Sequence, residues 1–260
     1  YEKTMSIIDS DKDCMMELTG GSELMMIAGH KAGSERKIQM LYTDIAAGTI
    51  TDIENPEWVK ETAVLTLDDF IDAKGAAYAG GMHNEPEERD FDKILEMSRY
   101  LFRNLREWRF TCIYLQAVSA AADNKMKISA NTPFLHKDGK KYHPDRNILE
   151  MFEKCGFIKN LYITENRVNF SYVFPEARVY LTTYGLWLEM YVFISAKRTG
   201  EFSDVKLGTM IDWDAYDEND TVGNEIDVIL MEKSIPIFVS CKLREISTPD
   251  LNELYIEKKR

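Results

Sequence analysis

Two consecutive apolar segments near the C-terminus are separated by only two residues, and this feature restricts the fold more than any other. They are "NEIDVILME" at 224–232 and "IPIFVSCKL" at 235–243. A connection this short joins antiparallel strands, because parallel strands need a crossover of a dozen residues or more. The pattern therefore predicts a β-hairpin whose two strands lie side by side in a sheet.

Charged residues occur in this hairpin at places where its strands approach each other. Side chains alternate between the faces of a strand, so Glu225 and Asp227 share one face of the first strand. Ser240 and Lys242 likewise share a face of the second strand. We expect Asp227 and Lys242 to face each other. An isolated pair of this kind is more often a surface salt bridge, worth about 0–1 kcal/mol.

A third charged residue, Glu189, lies in the otherwise apolar run "GLWLEMYVF" of a long helix predicted over 176–197. An ionised carboxylate in apolar surroundings is costly unless it meets a cation or hydrogen-bond donors. Carboxylates that hold magnesium or manganese against a phosphate, with a lysine beside them, suit phosphodiester hydrolysis. The predicted site residues are Glu189, Asp227, Lys242, Glu225 and Ser240 for catalysis, and Glu189, Asp227 and Cys241 for the metal.

The order of these residues resembles the PD-(D/E)xK core of restriction-endonuclease-like nucleases. "GLWLE" ends at Glu189, "NEID" at Asp227 and "SCK" at Lys242, and the predicted order of helix, strand, hairpin and helix is similar too. In that family an acidic residue usually precedes the lysine by two positions, where this chain has Ser240. The resemblance implies a metal-dependent endonuclease in which Glu225 supplies the missing carboxylate. The alternative is an inactive core.

A glycine turn follows the first predicted strand of the chain. "CMMEL" at 14–18 predicts a strand, "ELMMIAGHKAG" at 23–33 a helix and "KIQMLYTDI" at 37–45 a second strand. This alternation is typical of a parallel, doubly wound sheet, of which we expect the chain to contain only the latter part. Backbone N–H groups of the turn can bind phosphate at the helix start, although a plain tight turn is an equally good interpretation. The turn residues are Thr19, Gly20, Gly21 and Ser22.

Together, the turn and the C-terminal core resemble CRISPR-associated ancillary nucleases, which join a CARF sensor domain with a Rossmann-like fold to a PD-(D/E)xK domain. In that family a T-G-G-[TS]-K-like turn lies at the cyclic oligoadenylate pocket; this chain has Glu23 where lysine is common. The resemblance implies a homodimer of type III CRISPR antiviral defence that binds cyclic tetra-adenylate or a close relative. It also implies cutting of DNA or RNA, usually single-stranded, with manganese or magnesium.

The middle of the chain predicts helices at roughly 90–109 and 111–122, an exposed loop at 123–146, and a helix followed by a hairpin at 146–174. Helix followed by hairpin resembles part of a winged helix. Arginines spaced by four, three and three residues predict a basic stripe along one helix, or simply a solvated face; they are Arg99, Arg103, Arg106 and Arg109. With an inactive core, these segments favour the alternative of a ligand-responsive nucleic-acid-binding or regulatory protein.

The fold class predicted from these patterns is α/β with three parts. They are a partial Rossmann-like CARF domain at 1–80, a helical and winged-helix-like connector at 81–175, and a restriction-endonuclease-like domain at 176–260. The net charge of −12 argues against broad electrostatic affinity for nucleic acid, since that affinity comes mainly from lysines and arginines. Contacts with nucleic acid must therefore be local or metal-assisted.

Cellular location is predicted from what the sequence lacks. No apolar stretch approaches the roughly 18–20 residues needed to span a bilayer, and the first residues, "YEKTMSIIDSDKD", do not resemble a secretory leader. The four scattered cysteines include no CxxC pair and are typical of reduced thiols. We therefore expect a cytoplasmic protein that does not bind membranes.

Overall fold

The computed structural model describes residues 1–11, 13–79, 85–122, 126–137, 139–215 and 223–259. The fold is mixed α/β, as predicted, and it divides into two compact units. The first unit contains Tyr1–Lys74 together with Met231–Ile237, and the second contains Gly75–Leu230 together with Phe238–Arg260. The predicted boundary near residue 80 falls among residues 80–84, outside the described part of the chain, and the three-part division stays a prediction.

The first unit is a four-stranded sheet with helices. In chain order its elements are α1 (Glu2–Ser10), β1 (Met16–Glu17), α2 (Glu23–Arg36), β2 (Met40–Asp44), β3 (Thr49–Asp52), β4 (Val59–Glu61) and α3 (Leu67–Lys74). The strand order is β1-β2-β3-β4. The predicted strand–helix–strand segment is confirmed, because β1 and β2 are parallel and α2 connects them. Parallel pairing stops there among the described strands of this sheet, since β3 and β4 are added antiparallel.

Glycines allow α2 to lie close against the parallel strand pair. A Cβ atom at Gly33 would lie 2.9 Å from Cγ of Met40 and closer still to its sulfur, and one at Gly29 would lie 2.8 Å from Cδ2 of Leu18. Met40 and Leu18 are buried. The close approach of helix and sheet therefore depends on glycine at both positions.

The second unit contains the remaining elements of the described chain. In order they are β5 (Ala77–Tyr78), α4 (Phe91–Arg103), α5 (Leu105–Ala120), β6 (Lys127–Asn131), β7 (Phe134–Leu135), β8 (Lys141–Tyr142), α6 (Arg146–Lys154), β9 (Ile158–Ile163), β10 (Arg167–Tyr172), α7 (Pro175–Thr182), α8 (Leu186–Thr199), β11 (Asp204–Asp212), β12 (Gly223–Glu232), β13 (Ile235–Val239) and α9 (Thr248–Lys259). Part of the β12–β13 hairpin belongs to the first unit. None of the described helices is both long and apolar enough to cross a bilayer.

The second unit has an aromatic core centred on Trp187 of α8. The Trp187 ring centroid lies 5.3 Å from that of Phe157 and 5.7 Å from that of Phe152, and all three side chains are fully buried. The indole Nε1 of Trp187 donates a hydrogen bond of 2.8 Å to the carbonyl oxygen of Tyr180. These contacts fix the first turn of α8, which also carries Glu189.

The predicted hairpin of the C-terminal third is confirmed. β12 and β13 are neighbours in a sheet of order β13-β12-β11-β5, and only Lys233 and Ser234 connect them. Lys233 has a positive φ of 57°, as tight hairpin turns require. The helix α8 packs against β11 in the same unit.

The prediction of an exposed loop over 123–146 is wrong. This segment contains β6, which pairs antiparallel with β10 and extends the predicted β9–β10 hairpin to a three-stranded sheet of order β6-β10-β9. Ile128 of β6 is buried and lies opposite Phe170 of β10. The strand has few apolar residues of its own, so its stability depends on a partner some forty positions later, which local composition does not indicate.

Two helices predicted as continuous are interrupted. The helix predicted over 176–197 is divided into α7 and α8, with Thr183 in an extended conformation between them. The carbonyl oxygens at the break accept side-chain hydrogen bonds from α5: Gln116 Nε2 donates to Thr182 at 2.7 Å and Trp108 Nε1 donates to Tyr184 at 3.2 Å. Donors from another helix thus replace the missing helical bonds.

The second interruption removes the predicted arginine stripe. The helix predicted over 90–109 ends at Arg103, and α5 begins at Leu105. The side chain of Asn104 donates from Nδ2 to the carbonyl oxygen of Tyr100 at 2.8 Å, which satisfies a group at the end of α4. The four arginines are therefore distributed over two helices, and the prediction of one helical stripe is wrong.

Candidate active site

The β12 strand and the segment after β13 bring Asp227 and Lys242 together. Lys242 Nζ lies 3.3 Å from Oδ2 of Asp227. The side chains are only 28% and 17% exposed, so this pair is more shielded than an ordinary surface salt bridge. β13 ends at Val239 rather than continuing to residue 243, and Lys242 therefore lies in the irregular segment that follows the strand.

Residues of this segment donate hydrogen bonds to one oxygen of Asp227. The backbone N–H of Cys241 donates to Oδ2 at 2.6 Å, and the hydroxyl of Ser240 lies 3.4 Å from the same atom. All hydrogen bonds that the described residues make to the Asp227 side chain end on Oδ2. The carboxylate is therefore held in a fixed orientation, while its Oδ1 atom can accept an additional ligand.

Glu189 is the most strongly perturbed acid near this pair. Burial and, to a smaller extent, the negative charges of Asp227 and Glu225 raise the pKa of its carboxyl group to about 7, against the opposing effect of Lys242. The carboxyl group thus lies within electrostatic reach of all three residues. A pKa raised by burial and by neighbouring carboxylates is typical of a site where a cation or a proton is needed to balance charge.

A cavity of about 330 Å³ opens at the start of β12 and the end of β13. Among the candidate site residues, its lining includes Glu225, Asp227, Ser240 and Lys242. Glu225 is exposed. Glu189 is not part of this lining, although its charge interacts with Glu225 and Asp227.

The side chain of Cys241 differs from the other candidate metal ligands. Burial, followed by the charges of Asp227 and Glu189, raises the pKa of its thiol to about 12. The thiol of the metal-free protein is therefore protonated at neutral pH, and a metal would have to displace this proton because it is bound by the thiolate form of cysteine. The group of Cys241 that contributes to the described site is its backbone N–H.

A divalent ion with few protein ligands fits these residues. No group of three or more His, Cys, Asp or Glu residues in the described parts of the chain is arranged to hold a metal ion. Magnesium, however, usually keeps several waters and is held by one or two carboxylates together with substrate phosphates. Asp227 and Glu189 are the two carboxylates that would hold it; burial and then the charges of Asp227 and Glu225 raise the pKa of Glu189, and a bound cation would offset these effects.

The glycine turn belongs to the first unit. Gly21 has a φ of 103°, and the hydroxyl of Ser22 caps α2 by accepting from the N–H of Met25 at 3.3 Å. The hydroxyl of Thr19 accepts from the N–H of Thr43 at 2.7 Å. The Thr19 and Ser22 side chains thus stabilise the turn, and a Cβ atom at Gly20 would meet no atom within 4 Å. The open backbone at Gly20 is therefore the part of the turn that a ligand can approach most closely, whereas the side chain of Met25 lies against Gly21.

The structure also places residues beside Lys242 that the motif pattern did not indicate. A second cavity, of about 340 Å³, is lined by Lys242 together with Tyr184 of the α7–α8 break and Arg244. Arg109, which the sequence interpretation assigned to a stripe, lines it as well. The only sequence signal for this cluster is the glycine at 185, next to an aromatic residue within an apolar helical run.

Comparison with known proteins gives matches in structure but not in sequence. No protein-family model matches the chain, and no curated protein matches it. The fold is similar to that of Can2 from Sulfobacillus thermosulfidooxidans in complex with cyclic tetra-adenylate, with 17% identity, a TM-score of 0.59, and coverage of 98% of this chain and 64% of Can2. It is also similar to protein VC1899 from Vibrio cholerae, with 13% identity, a TM-score of 0.70, and coverage of 100% and 65%. The chain thus spans just under two thirds of the length of either protein.

Proposed function

We propose that this protein is a metal-dependent endonuclease that cyclic tetra-adenylate activates, acting in type III CRISPR antiviral defence. Its substrate is DNA or RNA, preferentially single-stranded. The observation that carries this proposal is the contact of 3.3 Å between Lys242 and Asp227, with the perturbed carboxyl group of Glu189 close enough to interact with both. A lysine and two carboxylates within reach of one another are the side chains that phosphodiester hydrolysis uses.

Each of these residues has a distinct role in the proposal. Asp227 and Glu189 hold magnesium or manganese, which when bound polarises the scissile phosphate and favours ionisation of water. Lys242 orients the attacking water or balances the charge that develops on the phosphate. Ser240 and the N–H of Cys241 keep Asp227 in its orientation. Glu225, exposed at the same cavity, is a supporting carboxylate near the substrate phosphates.

The proposed activator binds at the glycine turn of the first unit. Gly20 and Gly21 are exposed and precede the N-terminus of α2, where N–H groups and the helix dipole favour a phosphate. The similarity of fold to Can2, which was solved with cyclic tetra-adenylate, supports this choice of ligand. We further propose that the protein acts as a cytoplasmic homodimer in which ligand binding favours the active arrangement.

The proposal is tested by incubating fluorescent single-stranded DNA and RNA with the protein, manganese and cyclic tetra-adenylate. We expect cleavage products that require both the metal and the cyclic nucleotide. Asp227→Asn should reduce cleavage at least about 100-fold, because it removes charge that the metal needs. Asparagine keeps an oxygen that can accept the N–H of Cys241, so the variant should fold.

A matched control distinguishes loss of the site carboxylate from a general change in protein charge. Glu201→Gln removes one negative charge from an exposed position after α8 and should leave cleavage unchanged. Equal cleavage by wild type and Asp227→Asn, with both proteins folded by circular dichroism, would contradict the assignment of the site.

One observation favours a second candidate, a catalytically inactive regulator. Ser240 occupies the position of an expected carboxylate and points its hydroxyl at Asp227, and no cluster of three metal-binding groups occurs in the described ranges. Such a protein would bind nucleic acid in response to the cyclic nucleotide without cutting it. The same incubation distinguishes the two, since a mobility shift without products identifies the regulator.

A further inference from the structure

The second cavity adjoins the carboxylate-bearing cavity at Lys242, which lines both. It measures about 340 Å³ and lies between α5, the α7–α8 break and the segment that follows Lys242. All of these elements belong to the second unit. A polymer that places one phosphate at Asp227 and Lys242 would therefore continue naturally into this neighbouring space.

The cavity combines apolar and aromatic surface with positive charge. Leu243 and the ring of Tyr184 contribute the apolar part. The Tyr184 ring stacks on the buried Trp108, with centroids 6.1 Å apart and an interplanar angle of 18°, and is therefore held in place. Burial raises the pKa of the Tyr184 hydroxyl although nearby Arg109 lowers it, so the hydroxyl stays a proton donor at neutral pH.

Arg109 carries the charge that is available to a ligand. Arg244, the other arginine of the lining, is paired with Asp250 through both of its terminal nitrogens. Arg109 is exposed and takes part in none of the ion pairs formed among the described residues. The net charge of −12 repels a polyanion, so binding of nucleic acid at this site depends on a local cation such as Arg109.

We propose that this cavity is a nucleotide subsite that binds the residue next to the scissile phosphate of a single-stranded nucleic acid. Tyr184 contacts the base or sugar, and Arg109 pairs with the phosphate of that nucleotide. An unpaired strand is specified because a base must leave its helical stack to meet the ring of Tyr184. The inference rests on the proposed nuclease function, since it takes the position of the scissile phosphate from Asp227 and Lys242.

The first test measures binding without metal, so that cleavage does not enter. A fluorescent oligothymidylate of about 20 nucleotides is titrated with wild type, Arg109→Ala and Arg106→Ala, and anisotropy is followed at several salt concentrations. Arg106 is exposed on the same helix but lies outside the cavity lining. Arg106→Ala therefore removes the same charge as Arg109→Ala without altering the cavity. We expect Arg109→Ala to bind about tenfold more weakly, with the slope of log K against log salt reduced by about 0.7. Arg106→Ala should stay within about twofold of wild type.

A second variant tests the aromatic contact. Tyr184→Leu should weaken binding roughly tenfold as well, because a base loses its stacking surface. Its salt slope should equal that of wild type, since stacking displaces no counterions. A merely structural effect of either substitution would lower the midpoint of thermal unfolding, which is measured in parallel by circular dichroism.

Cleavage kinetics separate failure of this inference from failure of the proposed function. If the wild type cleaves, Arg109→Ala should raise KM about tenfold at nearly constant kcat, whereas equal kinetics for Arg109→Ala and Arg106→Ala would overturn the subsite and leave the nuclease intact. If the wild type does not cleave, the nuclease proposal fails and no phosphate is scissile; the anisotropy difference between the two variants then decides only whether the cavity binds a nucleotide of a single strand. A wild type that does not bind the oligonucleotide overturns the inference.

Discussion

Replacing Glu189 by glutamine should make the protein more stable at neutral pH in the absence of metal. Burial, together with Asp227 and Glu225, raises the pKa of Glu189 to about 7 in the folded protein, whereas the unfolded chain has an ordinary value near 4.3. The folded state therefore binds the proton more tightly. Stability from this group is complete below about pH 4.3, and it is lost as the pH rises towards 7.

The magnitude follows from the two pKa values. Each pKa unit corresponds to about 1.36 kcal/mol, so the difference between 4.3 and about 7 amounts to about 4 kcal/mol at most, and partial exposure of the side chain reduces it to about 2–3 kcal/mol. Glutamine has nearly the same shape and cannot ionise. The stability difference between Glu189→Gln and wild type should therefore increase by about 2–3 kcal/mol between pH 4.5 and pH 8.

The assay is urea unfolding followed by circular dichroism at pH 4.5, 6 and 8 with EDTA present. Taking the difference between variant and wild type cancels the titration of all other groups. Glu201→Gln, which changes an exposed acid beyond the end of α8, is the control and should give a difference that does not vary with pH. If the difference in unfolding free energy between Glu189→Gln and wild type also stays constant from pH 4.5 to pH 8, the electrostatic account of the site is refuted.

Two further predictions concern the packing that supports the two units. Gly33→Ala should destabilise the first unit by about 1–3 kcal/mol in a urea titration, because the added methyl group meets the buried side chain of Met40; an unchanged midpoint would show that α2 can move away from the sheet freely. Trp187→Phe should cost about 1–3 kcal/mol, because the buried carbonyl oxygen of Tyr180 loses its indole donor. A loss of nuclease activity should accompany it, since Trp187 fixes the turn that carries Glu189, and wild-type activity in this variant would argue against that coupling.

The acidic character of the site explains part of its local construction. Oδ2 of Asp227 receives a backbone donor, a hydroxyl and an ammonium group, which hold the carboxylate in one orientation while Oδ1 stays open. The loop that supplies these donors begins where β13 ends, and it is irregular because backbone groups turn towards Asp227 instead of continuing the ladder. The hydroxyl of Ser240 therefore helps to orient the carboxylate of Asp227 and does not act as a carboxylate itself.

The sequence by itself determined the elements whose stability is local. The two-residue connection at Lys233 and Ser234 predicts the antiparallel β12–β13 hairpin, and the alternation of faces places Glu225 and Asp227 on one face of β12. The position of Lys242 is set by the irregular segment that follows β13. Ser22 as a helix cap and the glycines of α2 likewise indicate a strand–helix–strand unit. These features depend on neighbours in the chain, so periodicity and turn chemistry reveal them.

Only the tertiary structure decided the elements whose hydrogen bonds come from distant segments. The break between α7 and α8 persists because Gln116 and Trp108 of another helix satisfy its carbonyl oxygens. That break places Tyr184 beside Lys242 and aligns the start of α8 so that Glu189 interacts with Asp227. Helical propensity alone favours an uninterrupted helix there, because no local pattern records a donor that arrives from some seventy residues earlier in the chain.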